Sequence, residues 1–449
     1  MKACVFRLTV ALLGGAVLVA SPVRADDLLS LYREAVQADA TFLAAQADTR
    51  ARREAEPQAL AQLLPNVSFN GSNARNSTDR ETKYAGGTSK DDSDYRSYNY
   101  TLGLRQPLFR PGSYAGWRQA QAQVAGAEAS LKWAEQDVGA RIGTAYFDVL
   151  LEETELNVIK GQRDAYLAQL DYAQKAFQSG AGTRTDIDEA RSSLDLAAAQ
   201  AIEQQYRLNY AYDALKAIIN RPLTQLARLD PGRMPLTPPD PARLEDWIRM
   251  AEEVNPQLIA LNAAAVAADK QVNKALSGHL PTADLIAQRF KNKSDSSNTI
   301  DTKTDGNLVG VQFNVPIFSG GDTVSVVRQA RAELDKARQQ LEATRREVGL
   351  QIRKEFDGVT QGVHWVTAYE MAAKSAEQAL ASTRKGFQAG KRTTLDILTA
   401  EQNLATVRRD LNRGRYQYVL SRLRLLALVG KLNEEEIARF NGWLLASVE

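Results

Sequence analysis

The sequence is nearly empty of the residues on which most site chemistry depends. Its one cysteine is Cys4, and its two histidines, His279 and His364, stand far apart. Cys4 falls in a segment that reads as a removable leader, so the mature chain has no thiol. That excludes disulfides, cysteine nucleophiles and thiolate metal sites. Neither histidine has a cysteine or acidic cluster at metal-ligand spacing, and His364 beside Trp365 reads most simply as a packing or surface residue. Gly320-Gly321 reads as a turn, because no lysine followed by serine or threonine stands at phosphate-loop spacing. No nucleophile elbow of the Gly-x-Ser-x-Gly kind occurs. The expectation is a protein that is not an enzyme and carries no cofactor or metal.

Charge of one sign is also lacking. The 56 lysines and arginines face 54 acids, and three of the basic residues (Lys2, Arg7, Arg24) lie in the first 25 positions. A nucleic-acid binder would show a basic excess or stripe, so no nucleic-acid partner is expected. Long apolar runs are missing after the start: 44% of residues are hydrophobic and the mean hydropathy is −0.36. That rules out a bundle of membrane helices but allows a β-barrel, whose strands are only half apolar. Met1 to Ala25 has a basic start, an apolar stretch from Leu8 to Ala20, and Val23-Arg24-Ala25 before Asp26. This is the layout of a secretory signal; the alternative is a buried N-terminal helix. Cys4 lies too far upstream of the cut to carry a lipid anchor.

What the chain does have is a repeat. Lys175–Leu194 and Lys385–Leu404, 210 residues apart, share nine of twenty positions. Each copy runs a helix into Phe-Gln-x-Gly, a short polar turn, and a new helix opened by Thr-x-x-Asp (Thr183 to Asp186, Thr393 to Asp396). Such an opening suits a capped N-terminus whose first-turn acid offsets the helix dipole, and capping alone would account for both acids.

The whole chain follows the repeat. Asp27 to Ala61 has helical periodicity, which Pro57 is expected to interrupt and Leu64-Pro65 to end. Strands are expected at about 66–78 and 95–109, where Val67 and Phe69, and then Tyr98, Tyr100, Leu102 and Leu104, alternate with polar residues. A polar, Gly-rich loop is expected between them. Aromatics at the strand ends suit the interfaces of a membrane strand, although a soluble sandwich could show them too. No proline occurs between Pro111 and Pro222, and Leu131, Val138, Ile142, Ala145, Val149 and Leu156 fall at seam spacing. A helical hairpin is therefore expected over about 113–220, with a first arm of about 100 Å. After a Pro-rich connector at 221–242 the plan restarts. Leu244–Leu276 reads as a helix, with strands at about 282–291 and 307–318, a polar loop at 291–305, and a hairpin over about 321–430. Residues 431–449 form a C-terminal segment. Pro107-Leu108-Phe109 returns as Pro316-Ile317-Phe318, and Gly112 and Gly320 also mark strand-to-helix junctions. The repeats are thus residues 26–220 and 243–430.

Four strands cannot close a membrane barrel, for which about eight is the minimum, and lipid tolerates no open edge. Several chains would have to share one barrel.

The duplicated order, the paired tips, the Pro-Leu/Ile-Phe junctions and the signal resemble the TolC family of outer-membrane channels over essentially the whole mature chain. Thr183 to Ile187 and Ala145 to Leu151 resemble the branch serving type I protein secretion. The resemblance implies a mainly α protein with a membrane β-barrel part: a homotrimer with a twelve-stranded barrel in outer-membrane lipid, continued by a twelve-helix α-barrel across the periplasm. It also implies two partners, a periplasmic adaptor and an inner-membrane transporter of the ABC type, which dock at the tip turns (Gly180, Thr183, Arg184, Gly390, Thr393). The same resemblance makes the tips a gate. Arg392 occupies the slot of a linking arginine, and Asp186 that of its acidic partner. Phe387 stands where a tyrosine would supply a hydroxyl. Asp396 matches an acid that narrows the pore, and Thr399 replaces a second one, leaving a single ring of three Asp396 side chains. Drug or metal efflux is the alternative cargo. A periplasmic coiled-coil adaptor or scaffold that conducts nothing is the alternative of another class.

Overall fold

The computed structural model describes residues 26–223, 225–296 and 299–445, without the side chains of 295–301. The expected leader at 1–25 lies outside them. Both repeats are present. In the first, α1 (Leu28–Ala38), α2 (Ala40–Arg53) and α3 (Ala55–Ala61) lead into strands β1 (Asn66–Tyr84) and β2 (Gly87–Phe109), then helices α4 (Pro111–Gln178) and α5 (Arg184–Ile219). In the second, α6 (Leu244–Val254) and α7 (Pro256–Leu276) lead into β3 (Thr282–Ser296), β4 (Thr299–Asn314), α8 (Asp322–Gln388) and α9 (Thr394–Leu428); α10 (Glu434–Asn441) follows. At 68 residues, α4 is about 100 Å long.

Several expectations need correction. The opening helix breaks at Asp39 and Glu54, and Pro57 sits in the first turn of α3, where its missing N–H costs nothing. At Asp39 the backbone turns extended, and the buried carboxylate accepts from the Phe42 amide at 2.7 Å. Asn255, at the matching place in the second repeat, splits Leu244–Leu276 in the same way. It caps α7 and donates to the Leu428 carbonyl at 2.7 Å. The segments expected as polar loops at 79–94 and 291–305 are largely strand: β1 pairs β2 without interruption from Asn66–Arg105 to Tyr84–Gly87. Polar residues on both faces hide the alternation, while the backbone ladder continues regardless of side chain. At 23 residues, β2 exceeds the roughly 9–11 residues that a membrane crossing needs, so in a membrane the outer hairpin would stand beyond the bilayer. Lastly, β4 ends at Asn314, not near 318. Its outer edge has no partner among the described residues, and Pro316 has no N–H to offer.

The described strands form one antiparallel sheet in the order β1-β2-β3-β4. Residues directly opposite share a face. Val67, Leu104, Ala287 and Val309 lie in one such row, and Phe69 opposite Leu102, Leu285 opposite Val311 and Ala283 opposite Phe313 extend it into an apolar face. The other face carries Ser68, Asn70, Thr101, Gln288 and Gln312. No described helix is long and apolar enough to cross a membrane. The sheet, apolar on one face and polar on the other, is the part suited to lipid.

The arms meet in a core at mid-length. Val138, Ile142, Val149 and Leu156 of α4 are buried there, with Leu131 and Ala145 partly so, matching the expected seam. The connector between α5 and α6 wraps this core. Leu226, Leu229 and Met234 join α1, α10 and the last turns of α5 and α9, while Leu229 bridges to Leu444. The buried Tyr146 hydroxyl donates to the Ala227 carbonyl at 2.7 Å. Where α4 passes α9, a Cβ on Gly143 would fall 2.3 Å from Leu423 Cδ1. Gly143→Val is therefore expected to cost about 1–3 kcal/mol by overpacking, lowering the temperature at which the detergent-purified protein unfolds. Gly161→Val on the same helix, where a Cβ meets nothing within 4 Å, serves as control. Equal melting of the two variants would refute the close approach.

Candidate functional site

The two hairpin turns are built alike. After Gln178 the chain passes through Gly180 (φ 78), and after Gln388 through Gly390 (φ 68), left-handed positions that favour glycine. Thr183 and Thr393 are extended N-caps with complete capping boxes. Asp186 Oδ2 accepts from the Thr183 amide at 2.9 Å and its hydroxyl at 2.6 Å. Asp396 Oδ2 accepts from Thr393 at 2.8 and 3.0 Å. These bonds hold both carboxyls below the usual range; for Asp186 the Thr183 hydroxyl leads, and for Asp396 the Thr393 amide.

Beyond that the tips differ. Tip one has Gly182 where tip two has Arg392, and Ala176 where tip two has Gly386. A Cβ on Gly386 would lie 2.9 Å from Arg392 Cγ, so that glycine makes room for the arginine stem. Arg392 Nη1 lies 3.6 Å from Asp396 Oδ1, both partly exposed. In tip one Arg184 Nε lies 3.3 Å from Asp188 Oδ1.

Gly180, Thr183, Gly390, Arg392 and Thr393 lie at the turns or caps, and Asp186 and Asp396 in the first turns of α5 and α9; within one chain Arg392 reaches Asp396 while Asp186 is held elsewhere. The buried Thr394 hydroxyl stands near Asp186 across the two hairpins and helps to hold its carboxyl low, a link the sequence did not reveal. Its only signal is position, directly after the cap Thr393. Phe387 packs edge-on against Tyr172 of the other hairpin, with centroids 5.3 Å apart. Thr399 is exposed on α9. Above the tips a groove of about 390 Å³ between the hairpins is lined by Gln169, Tyr172, Arg384, Phe387, Ile397 and Glu401. Arg384 pairs with Glu401 there, and the Gln169 amide nitrogen is buried without a partner.

The strand-to-helix junctions form a second cluster of predicted residues. β2 shifts register between Pro107 and Phe109, and Gly112 passes so near α7 that a Cβ would lie 2.8 Å from Ser277 Oγ. Gly320 (φ 65) and Gly321 (φ 89) make the matching turn before α8, with Pro316 and Phe318 in the exposed link ahead of it. Sequence reading missed the ion cluster here: buried Asp284 of β3 receives Arg105 at 2.7 Å and Arg110 at 2.6 Å, clamping the second repeat to the first. Among the described residues no group of three or more potential ligands could hold a metal.

Residues 31–221 and 247–431 match the sequence model of a family described as outer membrane efflux protein. The chain is 32% identical over 412 residues to alkaline protease secretion protein AprF of Pseudomonas aeruginosa, covering 91% of this chain and 85% of that relative. Its identity to proteases secretion protein PrtF of Dickeya chrysanthemi is 29% over 448 residues, covering 98% of this chain and 95% of the relative. Among solved structures, the outer membrane protein VceC of Vibrio cholerae shares the fold with a TM-score of 0.78 at 20% identity, over 90% of this chain and 96% of that one.

Proposed function

The chain belongs to the outer membrane efflux protein family, the TolC family, and on that premise we propose that it is the exit channel for proteins exported by a type I system. It is an outer-membrane channel that extends into the periplasm, and the reading as a non-conducting scaffold falls with the family assignment. The observation that carries the protein cargo is the 32% identity to a protease secretion protein over 91% of the chain. Three copies supply twelve strands and twelve long helices. An adaptor and an ABC-type inner-membrane transporter engage the tip turns at Gly180, Thr183, Arg184, Gly390 and Thr393. Drug or metal efflux is the second reading, supported by the family's own description.

The test is exchange. A host with a complete type I system but no outer-membrane channel should regain secretion of its protein substrate when given this chain. Restored drug or metal resistance without secretion would decide for the second reading.

At the tips, Arg392 of one hairpin is the latch and Asp186 of a neighbouring copy its acceptor, with Phe387 packed behind. Three Asp396 carboxylates form the pore ring, and Thr399 adds no second one. Asp396→Asn is accordingly expected to weaken block by trivalent cations at least several-fold in single-channel recordings. Identical block would place the ring elsewhere.

A further inference from the structure

The two faces of the sheet differ in charge as well as in polarity. Going toward the hairpin ends, the apolar face passes from the row of Val67, Leu104, Ala287 and Val309 into three rows of another kind. Phe69 and Leu102 stand beside Arg289 and Asn307, Gly71 and Tyr100 beside Lys291 and Asp305, and Asn73 and Tyr98 beside Lys293 and Lys303. These rows hold four cations and one acid, and one row further out Arg75 lies opposite Arg96. Two acids pair into the band: Asp305 lies 2.7 Å from Arg289, and Asp94 lies 3.6 Å from Arg75. At the same heights the opposite face is uncharged, from Asn70, Thr101, Phe290 and Gly306 to Ala74, Ser97, Ser294 and Thr302. The cations are confined to the side that meets lipid.

The band also has a definite height. From Phe109 to Tyr98, β2 rises about 26 Å at a tilt of about 45°, close to the height of a barrel's apolar zone, whose rims are marked by aromatics. Tyr98 and Tyr100 stack at this rim with centroids 5.4 Å apart, and Phe69 stacks on Tyr100 at 6.2 Å. The row at the other rim, Phe109, Ala283 and Phe313, holds no charge. The long helices leave from that uncharged end, so the basic rim is the one turned away from the periplasm.

Such a band is costly when bare. Lys293 lies directly opposite Lys303, as Arg75 does Arg96, and like charges so placed destabilise a sheet. We propose that this band, Arg289, Lys291, Lys293 and Lys303 with Arg75 and Arg96 beside it, binds the phosphate groups of a phosphorylated glycolipid in the outer leaflet. A phosphate monoester carries about −1.5 to −2 charges and three strong acceptor oxygens. One such group set between Lys293 and Lys303 converts their repulsion into charge-assisted hydrogen bonds. The acyl chains of the same lipid lie on Phe69, Leu102 and Val309 directly below, which a free anion would leave uncovered. The band crosses all four strands, at about 4.8 Å per strand, so it takes a headgroup that bears more than one phosphate.

The inference rests on the reading as an outer-membrane channel, and lipid binding by the full-length trimer tests it. Delipidated trimer in detergent is mixed with lipopolysaccharide, or with the same glycolipid after enzymatic removal of its phosphates, and the bound glycolipid is measured. The wild type is expected to bind the phosphorylated form at least tenfold more tightly, with an affinity that falls as salt is raised. The triple variant Lys291→Gln, Lys293→Gln and Lys303→Gln should lose at least tenfold in affinity while remaining a heat-modifiable trimer. Lys83→Gln with Lys90→Gln removes two charges at the exposed end of the outer hairpin and should bind as the wild type does. Excess inorganic phosphate should not displace the glycolipid; displacement would mean a site for free anions and overturn the lipid assignment. In a trimer that conducts, equal binding by the triple variant, or equal binding of the two glycolipids, overturns the band and leaves the channel reading standing. A chain that never reaches the outer membrane overturns both.

Discussion

Replacing Arg392 with serine is expected to raise the resting single-channel conductance several-fold. Arg392 is the one charge at the tips whose stem has a dedicated space, over Gly386, and its ion pair within the chain is long, 3.6 Å to Asp396 with both partners partly exposed. Such an exposed pair adds little to stability, so it leaves the guanidinium available to a stronger acceptor on a neighbouring hairpin. Asp186 is that acceptor by charge and by readiness. Thr183 and Thr394 hold its carboxyl below the usual range, so it stays ionised at neutral and mildly acid pH. Gly386→Ala tests the same idea by another route. The added methyl would meet Arg392 Cγ at 2.9 Å and displace a flexible side chain, costing little stability while moving the latch. Both variants should conduct more than the wild type while remaining trimeric. Unchanged closed-state conductance in Arg392→Ser would remove the latch from the account.

Asp39→Ala is expected to give one of the larger losses of stability among single polar substitutions, about 3 kcal/mol. Asp39 caps α2 through the Phe42 amide and accepts two 2.9 Å bonds from Arg141 while buried. Losing the cap costs about 1 kcal/mol, and breaking a buried pair about 3–5. The lower end applies because Arg141 is partly exposed and keeps Asp137 at 2.7 Å. Arg141, more than any other group, holds the Asp39 carboxyl below its ordinary value. The contribution is therefore fully present above the unfolded carboxyl pKa of about 3.9, and it fades as pH falls through the lower folded value. Thermal unfolding in detergent should show wild type and variant far apart at pH 7, with the gap narrowing only in strong acid. Asp39→Asn, which keeps an acceptor for the cap, should fall between them. A variant as heat-resistant as the wild type at pH 7 would show that the break between α1 and α2 needs no such anchor.

The readable and unreadable parts of the chain divide along physical lines. The tips were legible because a left-handed turn demands glycine and a capping box demands Thr-x-x-Asp, so Gly180, Thr183, Asp186 and their partners 210 residues on leave a local imprint. The lipid-facing rows were legible because burial on one side imposes alternation on Val67, Phe69, Leu102 and Leu104. Outside the bilayer water wets both faces of the hairpins, so Asp79 to Asp94 carries no alternation although its backbone is paired up to the turn at Ala85-Gly86. The helix breaks at Asp39 and Asn255 depend on partners 102 and 173 residues away, which no local pattern records. The Asp284 cluster is hidden likewise, since Arg105 and Arg110 lie in the other repeat. At the tips Thr394 was missed because its role is contact with Asp186 across two hairpins. The end of β4 shows the converse: the sequence pattern runs to Phe318, while the isolated chain stops pairing at Asn314.

The central claim, that this chain forms a conduit through the outer membrane, is tested most directly by adding the purified native oligomer to a planar lipid bilayer. The account predicts uniform conductance steps from a heat-modifiable trimer extracted from outer membranes. A trimer that inserts without conducting, or a chain recovered wholly in the soluble periplasmic fraction, would contradict it.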